Sequence, residues 1–324
     1  MRIFIKRTLF FLTPVILLGL CCELLLRRIP NDYSYKNSYL SKTSASVKIL
    51  FLGNSHVYYG INPAFVKEKG FNAGYFSQSL KYDLEILKKY QWDSLQYIAV
   101  SVDYSSLNYQ METSAESWRL KNYSIYYNIP TTNVISDHLE ILSTNLHDII
   151  SRLNSYYIKG NSAIDCSVSG FGNLISATPQ KDLISTGKES AKRHTQMNNE
   201  NLSENTKILN SFVEFAKAKN IKVVFFTCPA YKSYVQNLDS NQLNQTTAII
   251  TRITNAAPNA FYFNFLEDKA FVAEDYYDAD HLNSHGAKKL SIKIDSSIHS
   301  VIEKKAPGLT FLHNFIDLTS SLKE

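Results

Sequence analysis

The chain has 324 residues, 44% of them hydrophobic, and its 34 Lys and Arg side chains nearly balance its 29 Asp and Glu side chains. This length can bury one large α/β core, or one core with an insertion. The basic residues are dispersed, without a Lys/Arg cluster that has aromatic residues between its members, which argues against nucleic-acid binding. Outside the N-terminal segment the only cysteines are Cys166 and Cys228. They are either one disulfide or two separate buried thiols.

The N-terminus carries an apolar segment, residues 8–26, with basic residues on both sides. Nineteen residues in a helix span roughly 28 Å at about 1.5 Å each, close to the hydrocarbon thickness of a bilayer. A cleaved signal peptide has a shorter apolar core and small residues at its cleavage site. We therefore predict an uncleaved signal anchor over residues 1–28, in preference to a cleaved signal, a lipoprotein signal at Cys21 or Cys22, or a buried helix.

The charges around the anchor predict its orientation. Arg2, Lys6 and Arg7 precede the span, and basic residues favour the cytoplasmic side of a membrane. We therefore expect a single-pass protein of the inner or plasma membrane whose remaining chain is extracytoplasmic (periplasmic). Residues 29–46 are polar and rich in Tyr, Ser and Lys, which predicts a stalk between the membrane and a domain over residues 47–306.

The domain begins with a repeated strand–helix pattern. Apolar runs predict three buried strands, at 47–52, 71–76 and 97–102, with an amphipathic helix at 81–90. Strands that alternate with helices indicate βαβ units and a parallel sheet. From about residue 108 to 200 the pattern loosens into a predicted insertion or cap, which includes a helix at 134–153.

The strand–helix pattern then resumes. The predicted elements are a helix at 203–219, a strand at 222–227, a helix at 240–256, a fifth strand at 260–265 and a closing helix after Gly286. Residues 307–324 are predicted to be a C-terminal tail. The whole pattern predicts an α/β domain around a parallel sheet of about five strands.

Two short polar blocks follow the first and the fifth predicted strands. Gly53-Asn54-Ser55-His56 turns out of the first strand and presents the Ser55 hydroxyl at the carboxyl end of the sheet, where open α/β sheets bind ligands. Asp278 lies three residues before His281, so one local turn lets its carboxylate orient the imidazole. Asp280 competes with Asp278 for that role. Nucleophile, base and carboxylate follow the logic of a Ser-His-Asp triad.

Together, in this order, the two blocks resemble the first and last blocks of the SGNH/GDSL hydrolase superfamily. The resemblance covers residues 47–107 and 200–300, with Asn54 where most members have Asp. It implies a flavodoxin-like three-layer sandwich and serine esterase chemistry without a cofactor. It also implies that Ser55 is the nucleophile, His281 the base and Asp278 the residue that orients His281.

The resemblance further implies three donors to the oxyanion of the reaction. The first is the backbone N–H of Ser55, and the second is the backbone N–H of Ser77, which lies where a Gly is common. The third donor in the superfamily is the Asn side chain of a third sequence block, Gly-x-Asn-Asp. The segment after the third predicted strand, residues 103–108, lacks this pattern, and Asn108 is the residue that could replace the missing Asn. His56 and Arg119 are candidate substrate-binding residues.

A metal site in the segment that contains Asp278 and His281 is the alternative to a triad. His281 and His285 are four residues apart, so on one helix they could face a metal together with Asp278. Gly286 makes a helix through both less favourable, and we predict no metal.

Superfamily branches tied to cell-wall and exopolysaccharide acylation also have one N-terminal membrane helix, the Gly-x-Ser-His form and no clear third block. The resemblance to them implies an esterase or O-acyltransferase that acts on a cell-envelope glycan through an acyl-Ser55 intermediate. The substrate is then either this glycan or an acylated small molecule, and a membrane acyl-transfer partner is expected. Two alternatives remain open: a catalytically degenerate glycan-binding or scaffold domain in an envelope polysaccharide assembly complex, and a lipid-directed esterase.

Overall fold

A sheet of five parallel strands forms the centre of the computed structural model, which describes residues 1–177, 180–196 and 199–303. The strands are β1 (Ile49–Leu52), β2 (Gly70–Asn72), β3 (Tyr97–Ser101), β4 (Lys222–Thr227) and β5 (Ala260–Asn264). Their order in the sheet is β2-β1-β3-β4-β5. The predicted tail at 307–324 lies outside the described residues.

Helices precede, connect and cover the strands. They are α1 (Arg2–Arg28), α2 (Asp32–Thr43), α3 (Ser55–Gly60), α4 (Leu80–Lys89), α5 (Leu120–Asn122), α6 (Glu140–Ser143), α7 (Leu146–Leu153), α8 (Leu183–His194), α9 (Leu202–Ala218), α10 (Lys232–Val235), α11 (Ser240–Ala256) and α12 (Ser284–Glu303). Two π-helical turns, Tyr123–Tyr127 and Asn154–Ile158, follow α5 and α7.

Both faces of the sheet are buried, which explains the nearly continuous apolar runs of its strands. Side chains alternate between the faces of a strand. Leu50 and Phe225 therefore pack in the layer that contains α4, α9 and α11, whereas Phe51 and Phe226 pack in the layer that contains α3 and α12. The predicted three-layer α/β architecture is confirmed.

The strand order determines where a site can form. The chain moves outward in one direction from β1 to β2 and then in the other direction from β3 to β5. A crevice opens at such a reversal, beyond the carboxyl ends of the two central strands. Ser55 follows β1 and Asp103 follows β3, so both residues lie at this crevice.

The predicted stalk at 29–46 is instead part of the folded domain. Its main element is α2, capped by Asn31, whose side chain accepts the Ser34 N–H while the Ser34 hydroxyl accepts the Asn31 N–H. Tyr33 and Leu40 lie in the core cluster on one face of the sheet. The stalk prediction was wrong because it rested on the polar composition of the segment.

The polar side chains of α2 are buried with specific partners. Lys36 donates to the Gly74 carbonyl at 2.6 Å, and burial lowers the pKa of its ammonium group to about 8. Asp32 accepts the Asp165 N–H at 2.8 Å and the Tyr58 hydroxyl. α2 is therefore a buried helix although its composition is polar.

The insertion also departs from its prediction. The helix predicted at 134–153 is broken into a 3₁₀ turn, Ile135–His138, followed by α6 and α7. Asn145 causes the second break, because its side chain accepts the Asp148 N–H and caps α7. Cys166 and Cys228 are both free and buried, which agrees with two separate thiols.

α1 is long and apolar enough to span a membrane. The mean hydropathy of its most apolar window is 2.4, and only 11% of that window is buried against the rest of the chain. A core helix of a globular domain would be mostly buried.

Asp83 on α4 is fully buried close to the loop that follows β1. Gln78 donates to its Oδ1 at 2.6 Å, whereas Oδ2 has no hydrogen-bond partner among the residues that the structure describes. Burial raises the pKa of this carboxyl group to about 8.

We expect Asp83→Asn to raise the free energy of unfolding near neutral pH. The native carboxyl group keeps its proton up to about pH 8, whereas the unfolded chain loses it near the ordinary value of 3.8. The native state therefore binds more protons between these values, and wild-type stability falls as the pH rises through them. Denaturant unfolding should show little gain at pH 4 and a much larger gain at pH 8. A gain that is equal at both pH values would contradict this assignment, and Asp93→Asn, at an exposed position, is the control for the substitution itself.

Candidate active site

The turn after β1 places Ser55 at the crevice. Gly53 has a φ of 145°, and a Cβ there would lie 2.5 Å from Cγ2 of Val57 and 2.9 Å from Oγ of Ser101. Only glycine fits this turn without displacing neighbours. Asn54 then accepts the His56 N–H at 2.9 Å and caps α3, of which Ser55 is the first residue.

Asn72 holds α3 against the end of β2. Its fully buried side chain donates to the carbonyls of Val57 at 2.8 Å and Ile61 at 2.7 Å, and it accepts the Gly74 N–H at 3.0 Å. One amide therefore fixes the helix that carries Ser55 relative to the loop that carries Ser77.

The structure brings the predicted nucleophile, base and carboxylate together. Nε2 of His281 lies 2.8 Å from Oγ of Ser55, and Nδ1 lies 2.9 Å from Oδ1 of Asp278. The same Asp278 oxygen accepts the backbone N–H groups of His281 at 2.8 Å and of Asp280 at 3.2 Å. Asp280 lies farther from Nδ1, at 3.8 Å, so Asp278 is the residue that orients His281.

Hydrogen bonds and close packing hold the loop between β5 and α12 against the start of α12. Asn283 accepts the N–H groups of His285 and Gly286 and so caps α12. A Cβ at Gly286 would lie 2.2 Å from the Asp275 carbonyl oxygen, so glycine allows the helix to pack closely on the loop. His285 bonds to Asp275 at 2.8 Å. The alternative metal pair of His281 and His285 is therefore not assembled.

A network of charged side chains around His56 lies beside the hydrogen bonds of Ser55, His281 and Asp278. Nδ1 of His56 is 3.0 Å from Asp103 and Nε2 is 3.4 Å from Asp280. Burial opposes a charge on His56, but Asp103 and then Asp280 outweigh it and raise the pKa of the imidazole to about 10. Asp103 also accepts the Ser101 hydroxyl at 2.8 Å and the Cys228 N–H at 3.0 Å. His56, whose side chain is 9% exposed, is therefore a cation between two buried carboxylates.

His194, at the end of α8, completes this network. Its Nδ1 lies 2.9 Å from the Tyr234 hydroxyl and 4.0 Å from Asp280. Burial lowers the pKa of His194 to about 4, so this imidazole is neutral where His56 is charged. Sequence reasoning missed Asp103 and His194. For Asp103 a signal was present, because it directly follows the third predicted strand.

Three of these residues also resemble a metal-ligand set. Atoms of His56, Asp280 and His281 that could bind a metal lie within 4.8 Å of one another. However, both nitrogens of His281 are hydrogen-bonded to Ser55 and Asp278, and both nitrogens of His56 face carboxylates. A cation would have to displace these bonds, so the geometry favours the hydrogen-bond network.

A cavity of about 370 Å³ lies in front of Ser55. Asn54, Ser55, His56, Ser77, Ser105, Asn108, Tyr109, Gln110, Thr113, Ser114, Ala115, Glu116, Arg193, His194, Gln196 and Asn201 line it. The three candidate oxyanion donors thus share one cavity. Arg119 is not part of this lining, because its guanidinium group pairs with Glu116 at 2.5 Å and covers the Trp118 ring. Arg119 therefore lies outside this cavity, and its role in binding a substrate stays a prediction.

Two of the candidate donors have unusual environments. Ser77 has a φ of 51°, in the left-handed region that glycine adopts with little cost, which explains why a glycine is common there. Asn108 is buried with no hydrogen-bond partner for Oδ1, and no hydrogen bond within the described part of the chain involves its side chain. Its amide is therefore available to a ligand in the cavity.

No family model and no curated protein matches the sequence. Among solved structures, the chain is similar to a candidate platelet activating factor from Streptococcus pneumonia, with 12% identity and a TM-score of 0.44 over 89% of this chain and 98% of that chain. It is similar to a candidate acylhydrolase from Bacteroides fragilis, with 13% identity and a TM-score of 0.37 over 83% and 97%. It is also similar to a GDSL-like lipase from Bacteroides thetaiotaomicron, with 13% identity and a TM-score of 0.37 over 84% and 98%. These are similarities of fold, and the chemistry of this chain rests on its own residues.

We expect His56→Ala to lower the free energy of unfolding by about 3–5 kcal/mol, because it leaves the carboxylates of Asp103 and Asp280 buried without their cation. Asp103→Asn in the same chain should restore part of the loss. Denaturant unfolding of the two single variants and the double variant measures this coupling. If the loss of unfolding free energy in the double variant equals the sum of the losses in the two single variants, the ion network is contradicted.

Proposed function

We propose that this protein is a membrane-anchored serine esterase or O-acyltransferase of the SGNH/GDSL type. The observation that carries the proposal is the unbroken hydrogen-bond chain from Ser55, which lines the cavity, through His281 to Asp278. A serine becomes a nucleophile when an adjacent base can take its proton and a third group orients that base.

The reaction follows from this geometry in two halves. Oγ of Ser55 attacks the acyl carbonyl carbon while its proton passes to Nε2 of His281, and Asp278 offsets the charge of the imidazolium. The oxyanion accepts hydrogen bonds from the backbone N–H groups of Ser55 and Ser77 and from the amide of Asn108. The ester C–O bond then breaks, His281 gives its proton to the departing alcohol, and the acyl group remains on Ser55.

The second half returns the enzyme to its starting state. Water, or a sugar hydroxyl, gives its proton to His281 and attacks the acyl-Ser55 carbonyl carbon. When the bond to Oγ breaks, His281 returns the proton to Ser55. Water yields a free acid, as in an esterase, and a sugar hydroxyl yields a new ester, as in a transferase.

The lining of the cavity supports a hydroxyl-rich substrate. Most of its side chains carry hydroxyl or amide groups, among them Ser105, Gln110, Thr113 and Asn201. Such groups exchange hydrogen bonds with sugar hydroxyls, and the volume of about 370 Å³ suits a small acyl group or one sugar unit. These features support a cell-envelope glycan over the tail of a lipid.

The placement of the domain is part of the same proposal. In this proposal residues 8–26 of α1 are the membrane anchor, and the basic residues Arg2, Lys6 and Arg7 at its start favour a cytoplasmic N-terminus with the domain outside. An extracytoplasmic acyl donor, supplied by a membrane partner, would serve the transferase reaction. The alternative of a degenerate binding domain depended on the missing third block, and the position of Asn108 in the cavity weakens that argument.

We expect Ser55→Ala and His281→Gln to abolish the hydrolysis of p-nitrophenyl acetate by the full chain in detergent. Asp278→Asn should lower kcat by about 10⁴-fold, because an uncharged partner no longer holds the productive tautomer. His285→Gln is the matched control, since His285 bonds to Asp275 outside the triad. Equal turnover by Ser55→Ala and the wild type would refute an acyl-Ser55 mechanism.

We expect Asn108→Ala to lower kcat by about 10²–10³-fold, the usual cost of removing one oxyanion donor. Ser77→Gly should keep its activity, because the N–H group remains and glycine favours a φ of 51°. Steady-state kinetics of the two variants separate the roles. Full activity of Asn108→Ala would show that Asn108 is not an oxyanion donor.

A further inference from the structure

The insertion carries an exposed apolar face next to α1. It consists of Leu142, Leu146, Ile150, Tyr157 and Ile158, whose exposed fractions range from 44% to 79%. We call these five residues the apolar face. Large apolar side chains clustered at this level of exposure mark a surface that contacts something other than water.

On α7 the apolar face occupies one side of a short helix. Leu146 and Ile150 are four residues apart and therefore share a side. Asp148 and Ser151 lie on the opposite side, and both are exposed. The helix thus separates apolar from polar residues although both sets are exposed in this structure.

α6 and α7 pack along the last turns of α1. Leu26 and Ile29 form a buried cluster with Ile149 of α7, and Ile141 of α6 packs against it. A Cβ on Gly19 would lie 3.7 Å from Ile141, so the contact reaches back along α1 to that glycine.

Hydrogen bonds fix the same contact. Glu23 of α1 accepts the N–H groups of Glu140 at 3.1 Å and Ile141 at 3.0 Å. Arg27 pairs with Glu23 and donates to the His138 carbonyl, each at 2.5 Å. Glu23 and Arg27 of α1 are therefore both paired. The insertion is attached to the end of α1 as well as to the rest of the domain.

The depth of this contact matches a membrane interface. Gly19 lies seven residues before Leu26, where the apolar segment ends, so it is roughly 10 Å inside the end of the span at about 1.5 Å per residue. Helices that lie in a membrane interface bury their apolar side about 5–10 Å below the headgroups. α6 and α7 lie at this depth if residues 8–26 cross the bilayer.

We propose that the apolar face inserts into the bilayer leaflet on the domain side of the anchor. This inference rests on the proposed anchoring of α1. The occupant is lipid because the exposed apolar surface of α1 continues from the face, and because exposed Arg28 and Lys159 follow the span and the face. Cations at these positions suit headgroup phosphates.

Fluorescence of the full chain in vesicles of phosphatidylcholine and phosphatidylglycerol tests the inference. The environment-sensitive dye NBD is attached to Ile150→Cys, to its polar-side neighbour Ser151→Cys or to Val15→Cys within α1. All three carry Cys21→Ala and Cys22→Ala, since Cys166 and Cys228 are buried. Positions 150 and 151 are exposed, so neither change removes core packing, and thermal melts verify each fold.

We expect a blue-shifted emission that lipid-borne quenchers reduce at positions 150 and 15, and a water-like emission at position 151. A water-like emission at position 150, with position 15 in lipid, would overturn the inference and leave the anchor intact. A water-like emission at position 15 as well would refute the anchoring and this inference together.

Discussion

The carboxylate of Asp278 is the group on which the site depends. One of its oxygens accepts the His281 ring and the backbone N–H groups of His281 and Asp280. The loop is thereby folded by the same bonds that aim the imidazole at Ser55. A flexible histidine would lose conformational freedom each time it met the serine, whereas this histidine is already in place. Local folding and chemical orientation are therefore one interaction.

A second constraint is the pair of carboxylates around His56. Two buried acids next to the Ser55–His281–Asp278 hydrogen-bond chain would be costly without a cation, and His56, the residue after Ser55, supplies it. Asp280 joins both networks, because it faces His56 at 3.4 Å and lies 3.8 Å from His281. His56 thus stabilises the crevice, while Ser55 itself remains accessible.

The sequence predicted much of this arrangement because its strongest signals are local. Apolar runs located all five strands, and the three-residue spacing of Asp278 and His281 predicted their bond. The partners of His56 are distant in sequence, since Asp103 and Asp280 reach it from two other loops, so spacing could not reveal them. α2 was mistaken for a stalk because its buried polar residues, such as Lys36 and Asp32, have partners that composition does not show. With α2 beginning at Asp32, the folded domain follows α1 without a spacer.

Covalent labelling of the full chain with a fluorophosphonate tests the central claim most directly. The account predicts one phosphonyl group per chain, located by peptide mass spectrometry on Ser55 and lost in His281→Gln but retained in His285→Gln. Labelling depends on a serine that its histidine activates, so it requires no knowledge of the natural substrate. A folded wild-type protein that remains unlabelled, or that is labelled at another residue, would contradict the account.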